Sequence, residues 1–110
     1  MKGALNMQTK TISLPKLNGL KPTLESTCLK LMEEAGELAR EVGKFQCMSG
    51  ETPNKEWWQT KMDMAAELLD VAQTAVSMMF VMEEIHGLNM EDARERHITK
   101  LINKGYLKVE

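Results

Sequence analysis

The chain has 110 residues, 43% of them hydrophobic and 27% charged, a balance too apolar for a disordered polymer and sized for one small domain. Its formal net charge is −2, but Lys2, Lys10, Lys16 and Lys21 all precede the first acid, Glu25. The body from Leu24 onward therefore holds ten basic against sixteen acidic residues, a net −6 that repels a nucleic-acid backbone and excludes nucleic acid as a partner.

Residues 1–22 mix Gly, Asn, Thr and Pro with lysines and show no sustained period, so they are expected to form a flexible basic leader, mobile or loosely docked. The domain proper is expected over 23–110. From Leu24 the apolar residues Leu24, Cys28, Leu31, Ala35, Leu38, Val42 and Phe45 alternate spacings of four and three, which predicts one apolar stripe on a first helix. Thr23 is placed to cap that helix, which should end near Cys47, before Ser49-Gly50. Cys28 reads as a structural member of the stripe. Cys28 and Cys47 have no CxxC spacing and no histidine cluster to complete a zinc site, so reduced thiols in a cytoplasmic protein are expected.

The turn formers of residues 49–54 lead to a second helix from about Lys55 to His86, capped by Asn54 and closed by Gly87. Between Met64 and Ile85 apolar residues occupy nearly every side, the pattern of a central helix enclosed by others or by a partner subunit. Gln73, Thr74 and Ser77 interrupt its longest apolar stretch, and neither export nor membrane insertion is expected. Asn89 caps a third helix from Met90 to about Lys104, with Asp92 at the capping-box position and Gly105 as the stop. The fold class is all-α, an antiparallel helical bundle that is oligomeric, as a homodimer or a dimer-of-dimers tetramer.

The chemistry lies in the carboxylates. Glu34 and Glu37 stand three apart on the first helix with Glu33 beside them, and Glu67 and Asp70 stand three apart in an apolar stretch of the second. Surface glutamates are common, but a carboxylate pressed into apolar packing without a positive partner is expensive. If the first two helices pack antiparallel, the two pairs face each other, and four facing carboxylates ask for a divalent cation. All-oxygen ligands select a hard ion, Mg²⁺ first, with Mn²⁺ as a substitute.

Residues 33–37, Glu-Glu-Ala-Gly-Glu, and 67–70, Glu-Leu-Leu-Asp, resemble the EExxE and ExxD signature of the all-α NTP pyrophosphatases. This superfamily includes MazG, the dimeric dUTPases, the dCTP pyrophosphatases and phosphoribosyl-ATP pyrophosphohydrolase. The resemblance spans roughly residues 24–106 and is to the small MazG-like branch. It implies that Glu34, Glu37, Glu67 and Asp70 ligate Mg²⁺, with Glu33 as an outer-shell or additional ligand beside the substrate. It further implies hydrolysis of a nucleoside triphosphate, dNTPs foremost, to the monophosphate and pyrophosphate by a metal-activated water, in a nucleotide-pool house-cleaning role. Glu37 and Glu34 are the candidate acceptors of that water's proton, and the sequence does not choose among the carboxylates.

Lys100-Leu-Ile-Asn-Lys-Gly-Tyr resembles the basic, asparagine-containing segment with which relatives contact the triphosphate, implying phosphate contacts from Lys100, Asn103 and Lys104. A lysine at a helix C-terminus also serves the helix dipole, which accounts equally for Lys104. Many relatives carry arginine at Lys104-Gly105, and the 29 residues between Glu37 and Glu67 exceed the interval of compact members. Trp58, between the half-motifs, is a candidate to stack on a nucleobase for about 1–3 kcal/mol, against a packing role shared with Trp57. Glu83 and His86 form a single ExxH, where a di-iron bundle needs two, and His97 reads as a surface residue. Two other readings stand beside this one: phosphoribosyl-ATP pyrophosphohydrolase, and a non-catalytic helical interaction module, which leaves Glu67 and Asp70 unexplained.

Overall fold

The computed structural model describes residues 7–46 and 57–109. Among them are three helices and no strand: α1 (Leu24–Phe45), α2 (Trp57–Glu84) and α3 (Met90–Asn103). The expected boundaries that fall on described residues agree to within a turn; Cys47, the proposed cap Asn54 and the proposed helix start Lys55 lie outside the described residues.

Local chemistry sets the visible ends. The Thr23 side chain accepts the Ser26 N–H at 3.0 Å while Ser26 Oγ accepts the Thr23 N–H at 2.8 Å, a complete capping box that satisfies two otherwise orphaned donors. Asn89 Oδ1 accepts the Asp92 N–H at 3.1 Å and starts α3. Gly105, at φ +78°, lets Tyr106 N–H reach Leu101 O and Gly105 N–H reach Ile102 O, both at 3.0 Å, closing α3 in a Schellman motif. Gly87 at φ +66° plays the corresponding part after α2, where Leu88 N–H returns to Met82 O.

α1 and α2 pack along each other, and α3 has no comparable contact with either. The packing is antiparallel: Phe45 at the end of α1 meets Trp57 at the start of α2, edge to face at 5.3 Å, while Glu34 meets Asp70 further along.

The seam between these helices is polar. Thr27, Glu34, Thr60 and Ser77 are buried, with Val81 the only buried apolar side chain among the described residues. On α2 the line toward α1 runs Thr60, Asp63, Glu67, Asp70, Thr74, Ser77 and Val81, alternating steps of three and four, with Asp70 exposed where it opens to solvent. On α1 it is Thr27, Lys30, Glu34, Glu37 and Glu41. The expected apolar stripe is accordingly corrected: Leu31, Leu38, Val42 and Phe45 are half-buried, but Leu24, Cys28 and Ala35 are exposed, because the polar line occupies the contact with α2. Nor is α2 enclosed within one chain.

Large apolar residues face outward instead, among them Leu29 (72% exposed), Met32 (70%), Leu68, Leu69 and Ile85. The radius of gyration is 17.6 Å, against about 13 Å for a compact chain of this length. α2 is long and apolar enough, by length and composition, to cross a bilayer. Glu67 and Asp70, however, stand on its polar line toward α1.

The described part of the leader, residues 7–22, forms no helix or strand and lies partly along α2. Gln73 Nε2 donates to Pro15 O at 2.8 Å, and Lys16 pairs with Glu84 while its Nζ sits 6.0 Å from the Phe80 ring centre.

Candidate metal centre

Four of the five acidic candidates converge where the polar lines of α1 and α2 meet. Glu34 lies one turn beyond Lys30 and two turns beyond Thr27, so the face that buries Thr27 also carries Glu34 inward. Glu67 and Asp70 occupy one turn of α2 opposite it. One oxygen from each of Glu34, Glu67 and Asp70 can be chosen so that all three lie within 4.8 Å of one another. Glu37, one turn beyond Glu34 on the same face of α1, stands close enough to Glu67 for its charge to act on that carboxyl. Glu33 points away: its side chain is exposed and pairs with Lys30 at 3.4 Å.

The electrostatics are those of an unneutralised cluster. Burial, then the charge and hydrogen bond of Glu37, then the charges of Asp70 and Glu34, push the Glu67 carboxyl above the usual carboxylate range. Glu34 is 5% exposed, and Lys30 Nζ meets only its Oε1, at 3.1 Å. The other oxygen, Glu34 Oε2, and likewise Glu67 Oε2, is buried with no hydrogen-bond partner. Two orphaned carboxylate oxygens in one cluster fit a hard cation, because oxygen-only donors match Mg²⁺ or Mn²⁺ and offer nothing to a soft metal.

Lys30 escaped the sequence reading. It neutralises part of the cluster from α1, and contact with Glu34 first, then Glu33, raises its own ammonium pKa. The available signal was its spacing, three residues before Glu33 and four before Glu34, the two separations that meet on a helix. A second missed feature is a cavity of about 480 Å³ beside the carboxylates, bounded by Glu34 and Asp70, by Thr27 and Ser77, and by leader residues Leu17 and Leu20.

The remaining candidates lie elsewhere. Lys100 and Asn103 on α3, and Lys104 at its C-cap, are exposed, and no ion pair or hydrogen bond among the described residues joins them to the cluster. Lys104 Nζ instead sits 5.9 Å from the Tyr106 ring centre. Trp58 is 63% exposed and does not line the cavity, while Trp57 packs on Phe45. Glu83, His86 and His97 are exposed, as is Cys28, which is a free thiol.

A protein described as uncharacterized protein YvdC of Bacillus subtilis (strain 168) is 28% identical over 74 residues, covering 67% of this chain and 68% of its own length. No solved structure matches. The profile of the MazG nucleotide pyrophosphohydrolase domain matches residues 22–105, a span that holds all three helices and every carboxylate of the cluster. By that match the chain belongs to the MazG nucleotide pyrophosphohydrolase domain family.

Proposed function

We propose that this chain is a Mg²⁺-dependent nucleoside triphosphate pyrophosphohydrolase, acting on dNTPs in nucleotide-pool house-cleaning. The observation that carries this reading is the meeting of Glu34, Glu67 and Asp70 with two buried, unpartnered carboxylate oxygens. Glu34, Glu67 and Asp70 would hold the ion, with Glu37 completing the set through its contact with Glu67. Mn²⁺ would serve in the same donor set. When bound, the ion supplies charge neutralisation at the phosphate oxygens and acidifies the attacking water.

The chain's own groups supply the rest. Water attacks the α-phosphorus, the bond to the α–β bridging oxygen breaks, and pyrophosphate leaves with that oxygen. Glu37, less committed to α1–α2 packing than buried Glu34, accepts the proton of the water; Glu34 is its alternative.

The working form is a homodimer or a pair of dimers in the cytoplasm. The seam buries little apolar surface, and a second copy covering the outward apolar faces of α1 and α2 would supply the burial that one chain lacks. α3, unpacked in its own chain, then docks on the assembly and brings Lys100, Asn103 and Lys104 to the substrate phosphates. Trp58 is a base-stacking candidate in that assembly.

The test is a panel of NTPs and dNTPs, with phosphoribosyl-ATP included, incubated with Mg²⁺ and assayed for pyrophosphate and orthophosphate. Pyrophosphate with monophosphate is expected. Preference for phosphoribosyl-ATP would reassign the substrate, and orthophosphate alone would mean that a different bond is cut.

A further inference from the structure

The cavity beside the carboxylates has a wall that the family match does not include. Residues 22–105 carry the match, whereas Leu17, Leu20 and Lys21 precede it and close one side of the cavity. Resting on the pyrophosphohydrolase reading, we propose that the leader from Pro15 to Lys21 is the outer wall of the nucleoside subsite, and that this wall governs which nucleotide the chain accepts.

Position supports the assignment. The same cavity is lined by Glu34 and Asp70 of the cluster and by Leu17, Leu20 and Lys21 of the leader. A nucleotide with its phosphates at the carboxylate cluster can lay its sugar and base along this space. The volume, about 480 Å³, falls within the range of roughly 300–1,000 Å³ typical of small-molecule sites. Its chemistry also suits a nucleoside: Leu17, Leu20 and Pro22 present an apolar surface to a ring, while Gln73, Thr74 and Ser77 present amide and hydroxyl groups from α2. Of these Ser77 is buried, with its hydroxyl 3.5 Å from Gln73 Nε2.

The wall is fastened at specific points. Gln73 both lines the cavity and holds the Pro15 carbonyl, and the next residue, Lys16, is paired with Glu84. Leader position and the polar groups facing the nucleoside are therefore coupled through one side chain.

The experiment measures kcat and KM for the full chain with Mg²⁺ across the nucleotide panel, for wild type, Leu17→Asp, Leu20→Ser and Gln73→Ala. Leu20 is largely exposed, so Leu20→Ser keeps the test available if Leu17→Asp does not fold. A Mn²⁺ titration of each variant checks that the carboxylate centre is intact. Expected is a rise in KM of about tenfold for the preferred nucleotide, with kcat within about twofold and a flattened preference among bases. Mn²⁺ binding should be unchanged. Wild-type turnover with KM and base ranking unaltered in the folded variants overturns the leader assignment alone. A wild type that turns over no nucleotide overturns the pyrophosphohydrolase reading and this assignment with it.

Discussion

Glu34 and Glu67, on different helices, each bury one carboxylate oxygen that no donor reaches, in a cluster where their ligand-capable oxygens and that of Asp70 lie within 4.8 Å. Packing that opposes two negative groups in this way is unfavourable unless a proton or a cation relieves it. The helix pair is thus arranged around an electrostatic demand rather than an apolar core, and the consequences can be measured.

The first concerns pH. The Glu67 carboxyl titrates above its usual range in the folded, metal-free chain, chiefly through burial and then through Glu37. Across the window between the ordinary value and the raised one, the folded state holds a proton that the unfolded state has released. Stability of the metal-free chain therefore falls as pH rises through that window. Thermal melts in chelator should show Tm declining there, and Glu67→Gln should flatten the decline. A Tm that climbs across the same window would oppose the assignment.

Lys30 supplies a second prediction. Its ammonium lies 3.1 Å from Glu34 Oε1 and so competes with an incoming cation for the same cluster. The ammonium is solvent-exposed and its effect is screened, so Lys30→Met should tighten Mn²⁺ binding only modestly, by about two- to fivefold. Weaker binding in that variant would show instead that Lys30 holds Glu34 in its ligating position.

Self-association gives a third. With Leu29 and Met32 exposed on α1 and Leu68 and Leu69 on α2, sedimentation should report a species at least twice the 12.5 kDa chain. A stable interface of this kind buries about 1,200–2,000 Å² in total. Leu29→Glu combined with Met32→Glu should shift the species toward the single chain and lower Tm. A wild type that sediments as one chain at micromolar concentration would remove the proposed oligomer.

Much of this was legible from residues whose signals are local. Thr23, Asn89 and Gly105 each act within a few positions, and a cap is chosen by the nearest N–H or carbonyl, so their roles could be read directly; the return bond from Ser26 lacked the Glu or Gln that ordinarily marks it. The pairs Glu34/Glu37 and Glu67/Asp70 were legible because a three-residue step on a helix fixes a shared face. The orientation of α1 was not: an apolar stripe reports which side avoids water, but not whether α2 or another subunit covers it, and Cys28 and Ala35 were accordingly assigned to the wrong contact. The polar line from Thr60 to Ser77 had helical spacing too, but polar periodicity ordinarily marks a solvated face. Leader docking had no local signal, since it rests on Gln73 with Pro15 and Glu84 with Lys16, pairs separated by 58 and 68 residues.

The most direct test is a calorimetric titration of the full chain with Mg²⁺ and with Mn²⁺, comparing wild type with Glu67→Gln and Glu34→Gln. Wild type should bind either ion, and saturation at about 100 times Kd should add about 2.7 kcal/mol to its stability. Both variants should lose that binding while keeping their helical circular dichroism. Equal heats from wild type and folded variants, or no heat from wild type, would contradict a divalent-cation centre between α1 and α2.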